Sequence, residues 1–499
     1  MRWQYKHRVA SVFVLGLFLD LLDTTIVNVA LPTIAADLGV QPSDMQGVAT
    51  AYLIALATVI PVSGWAGDHF GTKQVFVAAL ALFTSASGLC SAATNLEMLV
   101  AFRALQGIGG GLLVPVGVTM LMRANPPDER ASASAVLAVP AALAPALGPL
   151  LGGYLVEAQG WRWIFAVNVP VGLVGIVFAA CALREHREGG AGRLDLLGFS
   201  LSAGGLAATM YALAIAAEKG LGDREVAACG SIGLALLVVF AIHETRTRDP
   251  LIDLGLFRER AFAVGSAVTF LAATAFSGAL FLLPLLLQQQ MRFGPMEAGM
   301  VTFAHAAGIL IVMPVASGLY ARLGVRTMLA AGMGIMGSAT LALTAVDGAA
   351  NVWPFAAPML LAGVGYGLTI VPLQVATFSG TPPEALGRAS AAFNSVRQVA
   401  LGVGVSFVAT TLAWRLDVHA GAMGSSANGA RVLAAFHEVF ELAAGVAGLG
   451  MLAAWFAVDR SRESPATGLC DGTTAVCGGE ARRSCAVATC PRQGWHSLA

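Results

Sequence analysis

Charge is what this chain has least of. Asp, Glu, Lys and Arg make up 12% of its 499 residues, about half the ordinary share. A soluble protein of that length would lack the polar side chains to cover itself, so most of its apolar surface must face something other than water. The 29 basic residues match the 29 acidic ones, so net charge says nothing about a partner and the distribution of charge is the useful quantity; nucleic acid is not expected as a partner. The sequence contains no H-E-x-x-H, no G-x-S-x-G and no ATP-binding P-loop, so an intramembrane enzyme or an ATP-driven machine has no signature to rest on. "GMGIMG" at 332–337 formally matches a dinucleotide fingerprint, yet it lies inside an apolar run with no strand before it. A sensor or scaffold would need a sizeable soluble domain, and no polar stretch is long enough for one.

Cysteine is equally uninformative as a ligand set. Cys90, Cys181 and Cys229 sit in or beside apolar runs, where a lone thiol is usually a packing residue. Cys470, Cys477, Cys485 and Cys490 are spaced too loosely for a zinc site. Neither a metal nor another cofactor is expected.

What the chain does have is apolar length: 57% of its residues are hydrophobic before its 58 glycines are added. A helix needs ~20 apolar residues to cross the hydrocarbon. Cutting at polar breaks gives runs near 9–31, 45–66, 74–93, 96–122, 132–156, 163–183, 195–217, 226–243, 261–290, 296–320, 326–345, 352–375, 386–413 and 434–458, hence 14 spans and an all-α integral membrane protein. The basic start "MRWQYKHR" leads into a run too long for a signal-peptide core, so the first span is expected to be retained.

An even span count puts both termini on one side. Lys6, Arg8, Lys73, Arg123, Arg130, Arg184, Arg193, Arg246, Arg258, Arg326 and Arg388 fall on that side, against Arg162, Lys219, Arg224, Arg292, Arg415 and Arg431 on the other. The positive-inside rule then predicts cytoplasmic termini, and the Ala- and Gly-rich, Lys-poor composition points to a GC-rich bacterium and its inner membrane.

Two polar dividers, 184–194 and 244–260, suggest a division into 1–183, a six-helix bundle; 184–260, linker loops with two further spans; 261–458, a second six-helix bundle; and 459–499, a disordered cytoplasmic tail. Internal echoes support the pairing of the outer parts: "GDHFGTK" (67–73) with "YARLGVR" (320–326), and "QGIGGGLLVPV" (106–116) with "AGVGYGLTIVP" (362–372). Repeated bundles of this kind are how many secondary transporters enclose a site at the membrane midplane.

The first span carries "LDLLDTTIVNVALP", with two carboxylates three residues apart. Asp20, Asp23, Thr24, Val27 and Asn28 fall within one arc of about 140°, so the polar groups share a face. An Asp at mid-helix costs ~2.5–3.5 kcal/mol on insertion scales, and an ionisable residue there is a functional candidate by default. Burial and a neighbouring carboxylate both make a proton easier to hold, which suits a site that is charged in one state and neutral in another. Arg103 in span 4 falls at nearly the depth of Asp23 and is the candidate modulator of its proton; a static structural ion pair is the alternative. Asp20, Thr24, Asn28, Gln106, Gln289, His305, Asn394 and Arg397 are candidates for a substrate cavity, although Gln289 would equally cap its helix and a lone His305 would equally be satisfied inside the bundle. "GWAGDHFGTK" (64–73) reads as a tight turn, with Gly64, Asp68, Gly71 and Lys73 as its characteristic residues.

These stretches together carry a family resemblance. "LDTTIVNVALP" (22–32), "GWAGDHFGTK" (64–73), "RALQGIGGG" (103–111), "GPLLGG" (148–153) and "GWRWIFAVNVP" (160–170) closely resemble the 14-span drug:proton antiporters of the major facilitator superfamily. Weaker echoes are "LLQQQMRFGPMEAG" (286–299) and "NSVRQVALGVGVS" (394–406). The resemblance implies the superfamily fold, two six-helix bundles with two extra central helices, and alternating access. It also implies export of hydrophobic or amphipathic compounds against protons. It places proton coupling on Asp23 and Arg103, gating on Asp68, and an antiporter helix motif on Gly148, Pro149, Gly152 and Gly153. Ala135 and Ala144 stand where that motif has glycines, His69 where the loop has arginine, and Asp20 is an acid beyond the pattern, suited to a cationic substrate. The runner-up is an exporter dedicated to one metabolite class, such as an amino acid, sugar or siderophore. Small-molecule substrate, protons and lipid are the expected partners; a periplasmic adaptor is left open.

Overall fold

A computed structural model of the chain describes residues 4–456, except 42–44, 127–128, 137, 188–191, 221, 347, 349–350 and 421–427. The chain divides into units Met1–Ser461 and Arg462–Ala499, and every described residue belongs to the first. The tail expected to be disordered, with its four cysteines, lies outside the described residues.

In hydrocarbon a backbone must satisfy its own hydrogen bonds, so apolar runs become helices unless a closed barrel forms. Among the described residues sixteen α-helices follow one another. They are α1 (Tyr5–Leu38), α2 (Gln46–Val59), α3 (Ser63–Phe70), α4 (Thr72–Ser91), α5 (Leu96–Ala124), α6 (Arg130–Val136), α7 (Ala138–Gln159), α8 (Arg162–Ala166), α9 (Asn168–Ala182), α10 (Leu196–Lys219), α11 (Arg224–Glu244), α12 (Arg260–Leu285), α13 (Pro295–Ala342), α14 (Trp353–Thr377), α15 (Leu386–Ala420) and α16 (Asn428–Ala454). Among the described residues no strand occurs, and 13 helical stretches are long and apolar enough to cross a membrane. With α7, which runs 22 residues at the place of the fifth expected span, they make 14.

Boundaries follow local chemistry. The side chains of Asn95, Asp195 and Asp223 accept from backbone N–H groups in the first turns of α5, α10 and α11. Spans 10 and 11 are the two arms of α13, whose helical geometry is interrupted at Gly324 with φ 77°. Gly71, at the matching place in the echoed sequence, has φ 100° and separates α3 from α4. Both positions need a residue without a Cβ, which explains the repeat in physical terms. The expected turn over 64–73 is therefore mostly helix: Ser63–Phe70 is α3, and the chain departs from helical geometry only at Gly71.

The second echo has a packing cause. A Cβ on Gly107 would fall 2.3 Å from the Tyr52 carbonyl oxygen and one on Gly109 2.7 Å from the Phe83 nitrogen, so α5 touches the backbones of α2 and α4. Gly363 likewise meets the His305 carbonyl oxygen at 1.9 Å and Gly365 that of Gly332 at 2.5 Å, seating α14 against both arms of α13. Small residues at such interfaces are how helices associate where no hydrophobic effect drives them together. In α7, an added Cβ on Gly148 would fall 2.1 Å from Thr25 Oγ1, so this glycine holds α7 close to α1.

The helices before α10 form one bundle and those after α11 a second. The α10–α11 hairpin leans on α2 of the first and α15 of the second through α10. Its other helix, α11, exposes Ile232, Leu234, Val238, Val239 and Ile242, an apolar face fit for lipid.

Candidate functional site

The two carboxylates of α1 lie in different surroundings. Asp23 is fully buried and accepts from the Arg103 guanidinium, from Gln106 Nε2 at 2.8 Å and from Asn168 Nδ2 at 3.1 Å. Arg103 Nη1 also donates to Gln106 Oε1 at 2.8 Å, and its guanidinium carbon lies 4.2 Å from the centre of the Tyr52 ring. Asn168 donates to Ser87 Oγ at 3.2 Å, which in turn donates to the Phe165 carbonyl at 2.9 Å. The Cys90 thiol points at Gln106 Oε1, 3.8 Å away. Helices α1, α2, α4, α5 and α9 thus close around one ion pair. A carboxylate offers only acceptors and a guanidinium only donors, so the two groups are complementary; Asp23 is supplied with three donors, while Arg103 Nε is buried without a hydrogen-bond partner.

Asp20, one turn earlier, accepts a hydrogen bond from the Tyr52 hydroxyl and lines a cavity of about 580 Å³. That volume is in the range of drug-sized ligand sites. Thr24 and Thr50 from the first bundle, Ser277 from α12, and Asn394, Arg397 and Gln398 from α15 bring the other polar groups, among mostly apolar walls that include Leu53, Ile54 and Phe281. Met210, Leu213 and Ala214 show that α10 is a wall of the same cavity.

The residues expected in the cavity therefore separate. Asp20, Thr24, Asn394 and Arg397 line it. Gln106 is placed elsewhere, in the sealed cluster with Asp23, because it follows Arg103 by three residues on the same face of α5. His305 also lies apart, fully enclosed in the second bundle beside Phe276, Met359 and Thr340. Gln289 belongs to a π-helical turn, Leu286–Gln290; its side chain, like those of Asn28, Ala135 and Pro149, lies outside the described residues. Gly152 is buried in α7, and Gly153 meets no neighbour within 4 Å of an added Cβ. Tyr52 and Asn168 were not singled out from sequence, although "GWRWIFAVNVP" contains the latter.

Below the cavity the bundles meet. Asp68 pairs with Arg123 at 3.1 Å, and Arg123 Nη2 reaches the Pro383 carbonyl at 3.4 Å. Ser390 Oγ donates to the Pro115 carbonyl at 2.8 Å. A Cβ on Gly64 would fall 2.7 Å from the Gly387 carbonyl oxygen, and one on Gly387 3.1 Å from the Asp68 carboxylate. Asp68 thus lies against the first turn of α15, where the helix dipole favours an anion. Lys73 bonds elsewhere through its backbone: its N–H donates to Glu185 Oε1 at 3.1 Å, while Trp65 Nε1 donates to the Gly192 carbonyl at 3.0 Å. His69 stacks on Trp65 with ring centres 4.8 Å apart, so an aromatic contact stands in place of a loop charge. At the opposite end, Trp161 and Arg162 each donate to Asp37 at 2.9 Å and hold its exposed carboxyl below the usual carboxylate range.

A closed contact on one side, a central cavity between two helical bundles and a buried ion pair beside it define a membrane carrier. The sequence profile described as Major Facilitator Superfamily matches residues 13–405, and the chain belongs to that superfamily. It is 34% identical over 414 residues to a multidrug resistance protein B homolog of Mycobacterium tuberculosis, covering 82% of this chain and 77% of that protein. It is also 34% identical over 417 residues to the putative multidrug resistance protein MdtD of Klebsiella pneumoniae, covering 83% and 86%. In fold it is similar to the crystal structure of the human organic anion transporter MFSD10, with a TM-score of 0.64 at 17% identity, over 90% of this chain and 99% of that one.

Proposed function

We propose that this transporter exports hydrophobic or amphipathic cationic compounds from the cytoplasm of a bacterium in exchange for protons, by alternating access and without a cofactor. The observation that carries the reading is the division of labour on α1: Asp20 opens to the cavity, whereas Asp23 is sealed against Arg103 one turn away. A proton on Asp23 removes the charge that Arg103 neutralises and frees the guanidinium to find other partners. A cation bound at Asp20 uses a carboxylate in mostly apolar walls, where charge attraction is strong. The membrane potential supplies ~2.3 kcal/mol per charge per 100 mV, so one proton is sufficient for useful accumulation. The names of the bacterial relatives support a drug-like substrate. The basic bias toward the side of Lys6, Lys73 and Arg123 supports cytoplasmic termini in the inner membrane. The 6 + 2 + 6 division of the chain, with the α10–α11 hairpin in the middle part, belongs to the same reading.

Ethidium transport and proton release in inverted vesicles test it. Asp23→Asn should abolish substrate-induced proton release, and Asp20→Asn should weaken transport of cations while sparing neutral compounds. Parent-like behaviour of both variants would make the carboxylates structural and end the proposal. Arg397 shares the cavity with Asp20, and this pairing of opposite charges favours a zwitterionic metabolite as the second reading; competition of amino acids with ethidium separates the two.

The wall supplied by α10 makes its own prediction. Met210→Trp fills the cavity beside Gly402, where Met210 Sδ already lies 3.3 Å from an added Cβ. The KM of a bulky substrate should rise ~10-fold, equivalent to ~1.4 kcal/mol, with that of a small one nearly unchanged. Equal KM values for both would remove α10 from the substrate path.

A further inference from the structure

Tyr52 is fully buried on α2 and faces both halves of the site. Its hydroxyl donates to Asp20, the acid of the cavity, and the face of its ring lies 4.2 Å from the guanidinium carbon of Arg103, the cation of the sealed cluster. The room for this arrangement comes from α5. A Cβ on Gly110 would fall 2.5 Å from Asp20 Oδ1 and 2.8 Å from the Tyr52 hydroxyl oxygen, so a side chain there would part the two. The titratable and charged groups around Tyr52 are Asp20 and Asp23 on α1, Arg103 on α5, Cys90 on α4 through Gln106, and Arg397 on α15 across the cavity.

We infer that Tyr52 is the positioning residue that links the two acids: a cation or a proton arriving at Asp20 changes the hydrogen bond that orients the phenol, and the ring passes the change to Arg103. A desolvated cation over an aromatic face is held by the ring quadrupole, and a hydrogen bond to an ionised carboxylate is stronger and more directional than one to a neutral partner. When Asp20 turns to a cationic substrate, the phenol loses its charged acceptor and the ring loses the contact that fixes its angle. Arg103, no longer held by the ring, is then free to close on Asp23, which favours the ionised carboxylate and expels a proton held there. The inference rests on the reading of the chain as a proton-coupled carrier and adds the route by which cavity occupancy reaches the buried pair.

The test uses the full chain in proteoliposomes with ethidium as the probe, reading equilibrium binding across a pH series and protons released on binding. The parent should bind ethidium more tightly as pH rises and release protons as it binds. Tyr52→Phe keeps the ring over Arg103 and removes the hydroxyl. It should weaken binding by no more than ~10-fold, the share of one hydrogen bond, yet lose most of the proton release and flatten the pH profile. Gly110→Ala attacks the same hydrogen bond from the other side with Tyr52 intact, and should flatten the profile in the same way; it decides the matter should Tyr52→Phe not fold. A purely structural Tyr52 would lower the amount of active protein and leave the pH profile in place, and that result overturns the inference while the carrier reading stands. A parent that releases no protons overturns both.

Discussion

Arg103→Leu should be among the most destabilising single changes in the molecule, and Asp23→Asn added to it should recover much of the loss without recovering coupled transport. Arg103 and Asp23 are both essentially without solvent exposure, and the carboxylate's other donors, Gln106 and Asn168, are neutral. Removing the guanidinium leaves a buried charge with two amide contacts, and breaking such a pair from one side costs ~3–5 kcal/mol. The neutral amide that replaces the Asp23 carboxylate in the double variant needs no counter-ion, and the leucine fills part of the space beside Tyr52. Thermal unfolding of the detergent-solubilised protein should therefore show a large drop in midpoint for Arg103→Leu and a smaller one for the pair. Proton release on substrate addition should be absent from both. If the double variant unfolds as early as the single one, the pair's electrostatics are not what holds these helices. If it still releases protons, coupling does not run through Asp23 and Arg103.

How this pair could be read from sequence, when its neighbours could not, has a physical explanation. A charge inside an apolar run announces itself, since its cost in hydrocarbon demands a reason; rise per residue then places Asp23 and Arg103 at one depth. Tyr52, Asn168 and Ser87 carry no such cost. Their meaning lies wholly in partners on other helices, and a span pattern does not specify which faces meet. Gln106 shows an intermediate case, because its spacing from Arg103 already put it on the Arg103 face, against its assignment to the cavity. His305 was a polar residue in a span, but it faces Phe276, Met336, Thr340 and Met359 inside the second bundle and does not line the cavity. The span pattern itself was legible to within several residues at each end. Lipid allows little besides helices of set length, and the breaks at Gly71 and Gly324 sit on the repeated motif. The motif over 64–73 was located correctly and mistaken in shape, because its glycines serve two purposes. Gly71 bends the chain, while Gly64 lies inside a helix and admits the backbone of α15.

That second purpose makes Gly64→Val the substitution expected to move the conformational equilibrium most. The Cβ alone would fall 2.7 Å from the Gly387 carbonyl oxygen and 2.9 Å from the Arg388 nitrogen. Both are backbone atoms of α15, so no rotamer change relieves the overlap, and the bundles must part at the Asp68 end. Overpacking of this sort costs ~1–3 kcal/mol, which in a two-state carrier shifts populations by ~5–150-fold. The penalty falls only on the state in which α3 and α15 touch. The fold can therefore persist while the cavity spends its time open toward Asp68 and Arg123. Nitroxide labels on the exposed positions Gln74 and Glu384 report the separation by electron–electron resonance: a short distance should dominate in the parent, a longer one in Gly64→Val, with Gly64→Ala between them. Efflux should fall with the short population while ethidium binding is retained, since the cavity walls are untouched. An unchanged distance distribution would mean that closure at this end is carried by Asp68–Arg123 and Ser390–Pro115 without the glycine contact, and Asp68→Asn would then have to produce the shift that Gly64→Val did not.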